Sequence, residues 1–113
     1  MLPGEIYLAK FPFGDVPGMK LRPVLLLTGP VGPVPEVAVA YISSVVPSQI
    51  LPSDRVLDPS LPQFRSTNLK VTSALRLHKL ATIHCTSLVR YLGVVERDAR
   101  VTIKNKLADL LGQ

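Results

Sequence analysis

The 113-residue sequence contains no tryptophan, a single cysteine (Cys85) and no proline beyond Pro62. A lone cysteine excludes an internal disulfide and leaves too few thiols for a zinc site, so Cys85 is expected to be a small buried hydrophobe. With only three tyrosines and three phenylalanines, the core must be built from Val, Leu, Ile and Ala. At 47% hydrophobic residues the chain is globular, not disordered. One domain of this length buries roughly 65% of its unfolded surface, a modest core that oligomerisation would help. No apolar run approaches the ~20 residues that span a bilayer, and Met1-Leu2-Pro3-Gly4-Glu5 lacks the basic-then-apolar pattern of a secretory signal. The expectation is a cytoplasmic protein without a membrane partner.

Chemistry is narrowed by further absences. There are two histidines and eight carboxylates, and no Asp-x-Asp or His-x-x-x-His pair to hold a metal. Neither a phosphate-cradling glycine loop nor Gly-x-Ser-x-Gly occurs. An enzyme of this sequence is expected to work without metal or nucleotide cofactor. Acidic residues are also missing from Pro59 to Val95, while Arg65, Lys70, Arg76, Lys79 and Arg90 all fall there. On a chain of net charge +5, a one-signed stretch points to a polyanionic partner, with a plain solvated basic face as the alternative.

All eleven prolines lie at or before Pro62, so helix is disfavoured in the front half. Gly4 to Phe13 alternates as a first strand, with Ile6, Leu8 and Phe11 inward. Gly14 to Gly18 is a turn-rich loop. Val24 to Thr28 suits a strand covered on both faces, and Val37 to Ser43 is a second strand of β-branched and small residues. Gly29 to Pro35 connects them. Val46 to Phe64 reads as an irregular excursion with at most a short strand at Arg55-Val56-Leu57. Val71 to Leu80 and Ala81 to Val89 read as further strands, and Gly93-Val94-Val95 as a last piece. Arg97 to Leu111 then places Val101, Ile103, Leu107, Leu110 and Leu111 near the helical period, with Gly112 as terminator.

Arg22 stands at the mouth of an apolar strand, where Pro23 holds it extended and presents its guanidinium from a stiff edge. A hairpin over Gly29 to Pro35 brings the end of the second strand back beside it. Opposed residues lie about 5 Å apart, so Arg22, Ser43 and Ser44 are expected near one phosphate. Arg76 and His78, two apart on a strand, share a face. A histidine among cations suits a general base, against the plain reading of an exposed basic strand.

The ordered set Gly4-Glu5-Ile6, Phe11-Pro12-Phe13, Lys20-Leu21-Arg22-Pro23 before an apolar strand, and Ile42-Ser43-Ser44 resembles the PemK/MazF family of toxin-antitoxin endoribonucleases. The likeness continues in Asn68-Leu69, Ser73, Arg76, Leu80-Ala81-Thr82-Ile83, Leu92-Gly93 and the closing helix. It implies a mainly β, SH3-like small barrel with a C-terminal helix. It further implies a homodimer, cleavage of single-stranded RNA at short sequences, and a neutralising antitoxin with which DNA is bound. Arg22 matches the arginine of the family's Arg-Pro motif, and Ser43 falls where a threonine or serine follows the isoleucine. Arg76 matches an arginine that some members use on a later strand. At His78 the pattern differs, because those members carry an acidic residue two positions after that arginine.

Cleavage without metal uses the ribose 2′-hydroxyl as nucleophile on the adjacent phosphate. The protein must supply a base, an acid and positive donors for the phosphorane. The resulting expectation is Arg22 on the phosphorane oxygens, Ser43 donating to the same phosphate, and His78 accepting the proton. Lys20, Ser44, Arg55, Arg76 and Lys79 are expected to touch RNA. Two other classes stay open: a gyrase poison of the related CcdB-like branch, and a non-catalytic barrel that binds protein or RNA.

Overall fold

The computed structural model describes residues 1–11 and 20–112. In chain order they form β1 (Glu5–Phe11), β2 (Lys20–Leu26), β3 (Glu36–Ser43), β4 (Asp54–Leu57), β5 (Ser73–His84), β6 (Leu88–Val94) and α1 (Arg97–Leu110). The strands make one sheet in the order β4-β5-β3-β2-β1-β6, with every neighbouring pair antiparallel. This is the mainly β class with a closing helix that the sequence implies. Pro12, Phe13 and the loop expected at Gly14 to Gly18 lie outside the described residues.

Both faces of the central strands are covered, which is why β2 ends in an unbroken apolar run. Ile6, Leu25, Ala40, Ile42, Leu75 and Leu77 meet Phe64 and the helix residues Ala99 and Ile103 on one face. Ala9, Val24, Leu26, Val37, Val39 and Ile83 form a second cluster. Cys85 packs half-buried against that second cluster. On α1, Ile103 is buried, whereas Val101, Leu110 and Leu111 of the expected apolar face are exposed. Gly112 closes the helix at φ +77°, donating its N–H to Asp109 O at 3.1 Å, a conformation suited to glycine. Among the described residues no helix is long and apolar enough to cross a membrane.

The strand expectation at Val71 to Val89 needs correction. Ala40 of β3 pairs with Leu80, but the next residue, Tyr41, pairs with Arg76. Leu77, His78 and Lys79 therefore have no counterpart on β3. An odd number of inserted residues inverts the alternation of side chains. Leu75 and Leu77 thus face the first cluster and Ala81 and Ile83 the second. What reads as two strands is one, β5, carried through a bulge, and β6 begins at Leu88, ahead of Gly93.

The excursion from Val46 to Phe64 carries the expected short strand as β4 and then enters a 3₁₀ turn, Pro62–Thr67. That turn is pinned to β6: Ser66 Oγ donates to Val94 O at 2.7 Å, and Asn68 Nδ2 to Leu92 O at 2.8 Å. Gly93 permits the approach, because a Cβ there would overlap Ser66 O and lie 2.7 Å from Thr67 O. The edge strand β4 is held electrostatically as well as by its ladder. The carboxylate of the buried Asp54 accepts the Leu51 N–H at 2.9 Å and Arg76 Nε–H at 2.9 Å. Burial pushes its carboxyl pKa up, but the Leu51 bond, the bond and charge of Arg76, and His78 outweigh this and hold it below the ordinary 3.8.

Two outcomes follow for stability. Gly93→Ala is expected to destabilise by about 1–3 kcal/mol through overpacking, read as a lower midpoint of thermal unfolding. Asp54 has a depressed folded-state pKa, so its contribution is complete above the ordinary carboxylate value and lost as pH falls through the folded value. A urea midpoint followed into acid should drop over that range, and Asp54→Asn should flatten the drop.

Candidate functional site

Arg22 lies on β2 opposite Ala9 and is half-buried. Alternation places it on the face of Val24 and Leu26, that of the second cluster. Among the described residues no carboxylate pairs with its guanidinium. The β2–β3 hairpin pairs Val24 with Tyr41 and Leu26 with Val39. Followed two residues past the last recorded pair, the same register sets Arg22 opposite Ser43, the proximity expected from the sequence. Ser43 itself is engaged in a local turn: its Oγ donates to Val45 O at 2.9 Å and accepts the Val45 N–H at 3.1 Å. To donate to a phosphate, that hydroxyl must leave Val45.

Tyr41 links this end of β2 to the next group. It pairs with Val24 on one side and with Arg76 on the other, and Arg76 in turn pairs with Asp54 on β4. Val24, Tyr41, Arg76 and Asp54 thus make one row across the sheet, on the same face as Arg22. Strands are spaced about 4.8 Å apart, so Arg22 and Arg76 stand roughly 10 Å apart laterally, a span that two arginine side chains can close around one nucleotide.

At the far end of the row a polar cluster forms. Arg76 Nε is fixed by Asp54. His78 Nδ1 is 2.8 Å from Ser53 Oγ and 4.0 Å from Asp54 Oδ1, so the ring is anchored through one nitrogen and Nε2 points away from that anchor. The His78 side chain is 28% exposed and that of Arg76 19%, open enough to meet a ligand. Lys79 sits with its Nζ 5.6 Å from the centroid of the Tyr41 ring, placing a third cation beside the row.

The remaining sequence candidates separate. Lys20 is exposed at the start of β2, and Ser44 is exposed just past β3. Arg55 lies on the other face, with its guanidinium 5.2 Å from the Phe64 ring and its buried Nε without a hydrogen-bond partner among the described residues; it does not share the face of Arg22 and Arg76. Ser44 instead borders a cleft of about 580 Å³ whose lining includes Pro23, Asn68, Lys70 and Arg90. Among the described residues no cluster of three or more His, Cys, Asp or Glu could hold a metal ion.

Ser53, Asp54 and the bridging position of Tyr41 were not legible beforehand as site features. Asp54 meets Arg76 across 22 residues of sequence, and nothing in Pro52-Ser53-Asp54 signals that pairing. The β4–β5 ladder sets Asp54 opposite Arg76, and the bulge beyond it turns Leu77 and His78 to Ser53.

No curated protein sequence matches the chain. Several solved structures do match in shape. The Mycobacterium tuberculosis toxin MazF-mt6 is 22% identical, with 96% of each chain covered and a TM-score of 0.73. A mycobacterial endoribonuclease solved with its cognate antitoxin is 20% identical, covering 99% of this chain and 95% of that one at a TM-score of 0.68. A chain of the MazE–MazF structure from Deinococcus radiodurans is 18% identical, covering 100% of this chain and 97% of that one at a TM-score of 0.68. At these identities the likeness shows the fold. The family model of PemK-like, MazF-like toxins of type II toxin-antitoxin systems matches residues 2–111, and over that span, nearly its whole length, the chain belongs to this family.

Proposed function

We propose that this chain is the toxin of a type II pair, cutting single-stranded RNA at short sequences in the cytoplasm without a metal ion. The observation that carries the reading is the Arg22 guanidinium at the mouth of β2, which no carboxylate pairs among the described residues, on the same sheet face as Arg76 and His78. Two arginines flanking one row suit a phosphate that gains charge in the transition state, and such electrostatic stabilisation is commonly the largest catalytic term. Arginine's planar fork matches two phosphate oxygens at once.

In this reading the 2′-hydroxyl of one nucleotide attacks the adjacent phosphorus. His78 Nε2 takes the proton as the O2′–P bond forms. The P–O5′ bond breaks, the departing O5′ takes a proton from solvent water while His78 returns its own to solvent, and the products are a 2′,3′-cyclic phosphate and a 5′-hydroxyl. Arg22 and Arg76 hold the non-bridging oxygens throughout. Ser43, once released from Val45, adds a hydrogen bond, and Lys20, Ser44 and Lys79 contact the flanking backbone. Arg55 contributes to the fold through Phe64, with no direct contact to RNA. A second copy of the chain completes a homodimer, and a cognate antitoxin, as in the mycobacterial and D. radiodurans complexes, neutralises it.

The test is incubation of the purified chain with mixed-sequence RNA in EDTA. Site-selective cuts are expected, with Arg22→Ala abolishing them while the far-UV spectrum stays native. Inhibition of gyrase supercoiling with intact RNA would replace this reading with a gyrase poison, and RNA binding without products would replace it with a non-catalytic barrel. His78→Ala is expected to lower kcat on the order of 10²-fold; full cleavage by that variant would remove His78 as the base.

A further inference from the structure

We infer that Asp54 is a positioning residue of the site, acting on Arg76 and His78 together from the edge strand β4; the role in catalysis rests on the ribonuclease reading above. Leu77, His78 and Lys79 have no partner on β3, and an unpaired strand segment would ordinarily be loose. Two consecutive residues at the start of the neighbouring edge strand, Ser53 and Asp54, take over. Ser53 O accepts the Leu77 N–H at 2.9 Å, Ser53 Oγ meets His78 Nδ1 at 2.8 Å, and Asp54 Oδ1 accepts Arg76 Nε–H at 2.9 Å. Three successive residues of β5, Arg76 to His78, are clamped by Asp54 at the start of β4 and by Ser53 just ahead of it.

Within that clamp Asp54 alone carries charge, and its side chain is fully buried. It is itself fixed, because its second oxygen accepts the Leu51 N–H at 2.9 Å and its own N–H donates to Leu51 O at 2.9 Å. A carboxylate held so rigidly aims what it binds. By occupying the Nε edge of Arg76, it leaves the two terminal nitrogens, the fork that grips a phosphate, directed away from β4. Its effect on His78 is through the tautomer. Asp54 Oδ1 lies 4.0 Å from Nδ1, and a nearby negative charge favours a proton on that nitrogen, with Ser53 Oγ as acceptor. Nε2 is then the unprotonated nitrogen, the form a general base requires. One buried carboxylate thus sets the direction of the phosphate donor and the identity of the proton acceptor.

The alternative is that Asp54 only ties β4 to β5. Steady-state cleavage of a single-site RNA, combined with ¹⁵N NMR of the histidine ring in the unliganded protein, separates the two. Asp54→Asn keeps the volume and one acceptor oxygen. If Asp54 positions the site, this variant lowers kcat on the order of 10²-fold with KM little changed and the thermal midpoint still well above assay temperature. Combined with Arg76→Ala, its loss falls well short of the product of the two single losses, because part of its action runs through Arg76. In the NMR spectrum His78 carries its neutral-form proton on Nδ1 in the parent protein and shifts toward Nε2 in Asp54→Asn. A native-like Asp54→Asn protein with parental kcat overturns the proposal, as do strictly multiplicative losses or a His78 ring protonated on Nε2 in the parent. If the parent chain cuts no RNA, the ribonuclease reading fails, while the tautomer measurement still decides whether Asp54 orients His78.

Discussion

The register break between β3 and β5 is the constraint on which the rest of this molecule depends. Three residues inserted opposite the Ala40–Tyr41 step turn β5 over, so one strand supplies Leu75 and Leu77 to one core and Ala81 and Ile83 to the other. A regular twelve-residue strand could not do both, because its alternation would send one of those pairs to the wrong face. The same insertion frees His78 and Lys79 from β3 and turns them toward β4 and Tyr41. Packing and site are therefore two results of one local irregularity.

The second organising feature is that charge is placed on a row and not spread over a patch. Val24, Tyr41, Arg76 and Asp54 follow one line across four strands, and Arg22 stands on the same face two residues from Val24 along β2. Arg76 is paired at its Nε and His78 at its Nδ1, which leaves the outer nitrogens of both for a ligand. Arg22 has no such partner among the described residues. An RNA phosphate meeting this face would thus encounter an arginine fixed by Asp54, a second arginine at the mouth of β2 and a histidine anchored through a single nitrogen. Such preorganisation is what a reaction limited by charge build-up at phosphorus needs.

Much of the architecture is legible in the residues. Pro23 and the proline-rich Gly29–Pro35 segment announce the hairpin, and the apolar run behind Arg22 announces a doubly covered strand. Spacing in Arg97 to Leu111 marks the helix, although Val101, Leu110 and Leu111 remain on its exposed side. The bulge is silent in the sequence, because Leu77-His78-Lys79 looks like ordinary alternation and only its pairing with β3 and β4 distinguishes it. Asp54 is silent for the same reason: its partner is 22 residues away and its segment is rich in turn formers. Arg55 misleads in the opposite sense, since a basic residue on a short strand reads as RNA-facing until the register turns it onto Phe64.

Attack by the 2′-hydroxyl leaves its mark on both ends of the cut RNA. RNA cut by the purified chain in EDTA should carry 5′-hydroxyl ends that a polynucleotide kinase labels directly, and 3′ ends closed as 2′,3′-cyclic phosphates. Ends bearing a 5′-phosphate and a free 3′-hydroxyl would contradict it, because water and not the 2′-hydroxyl would then have attacked the phosphorus.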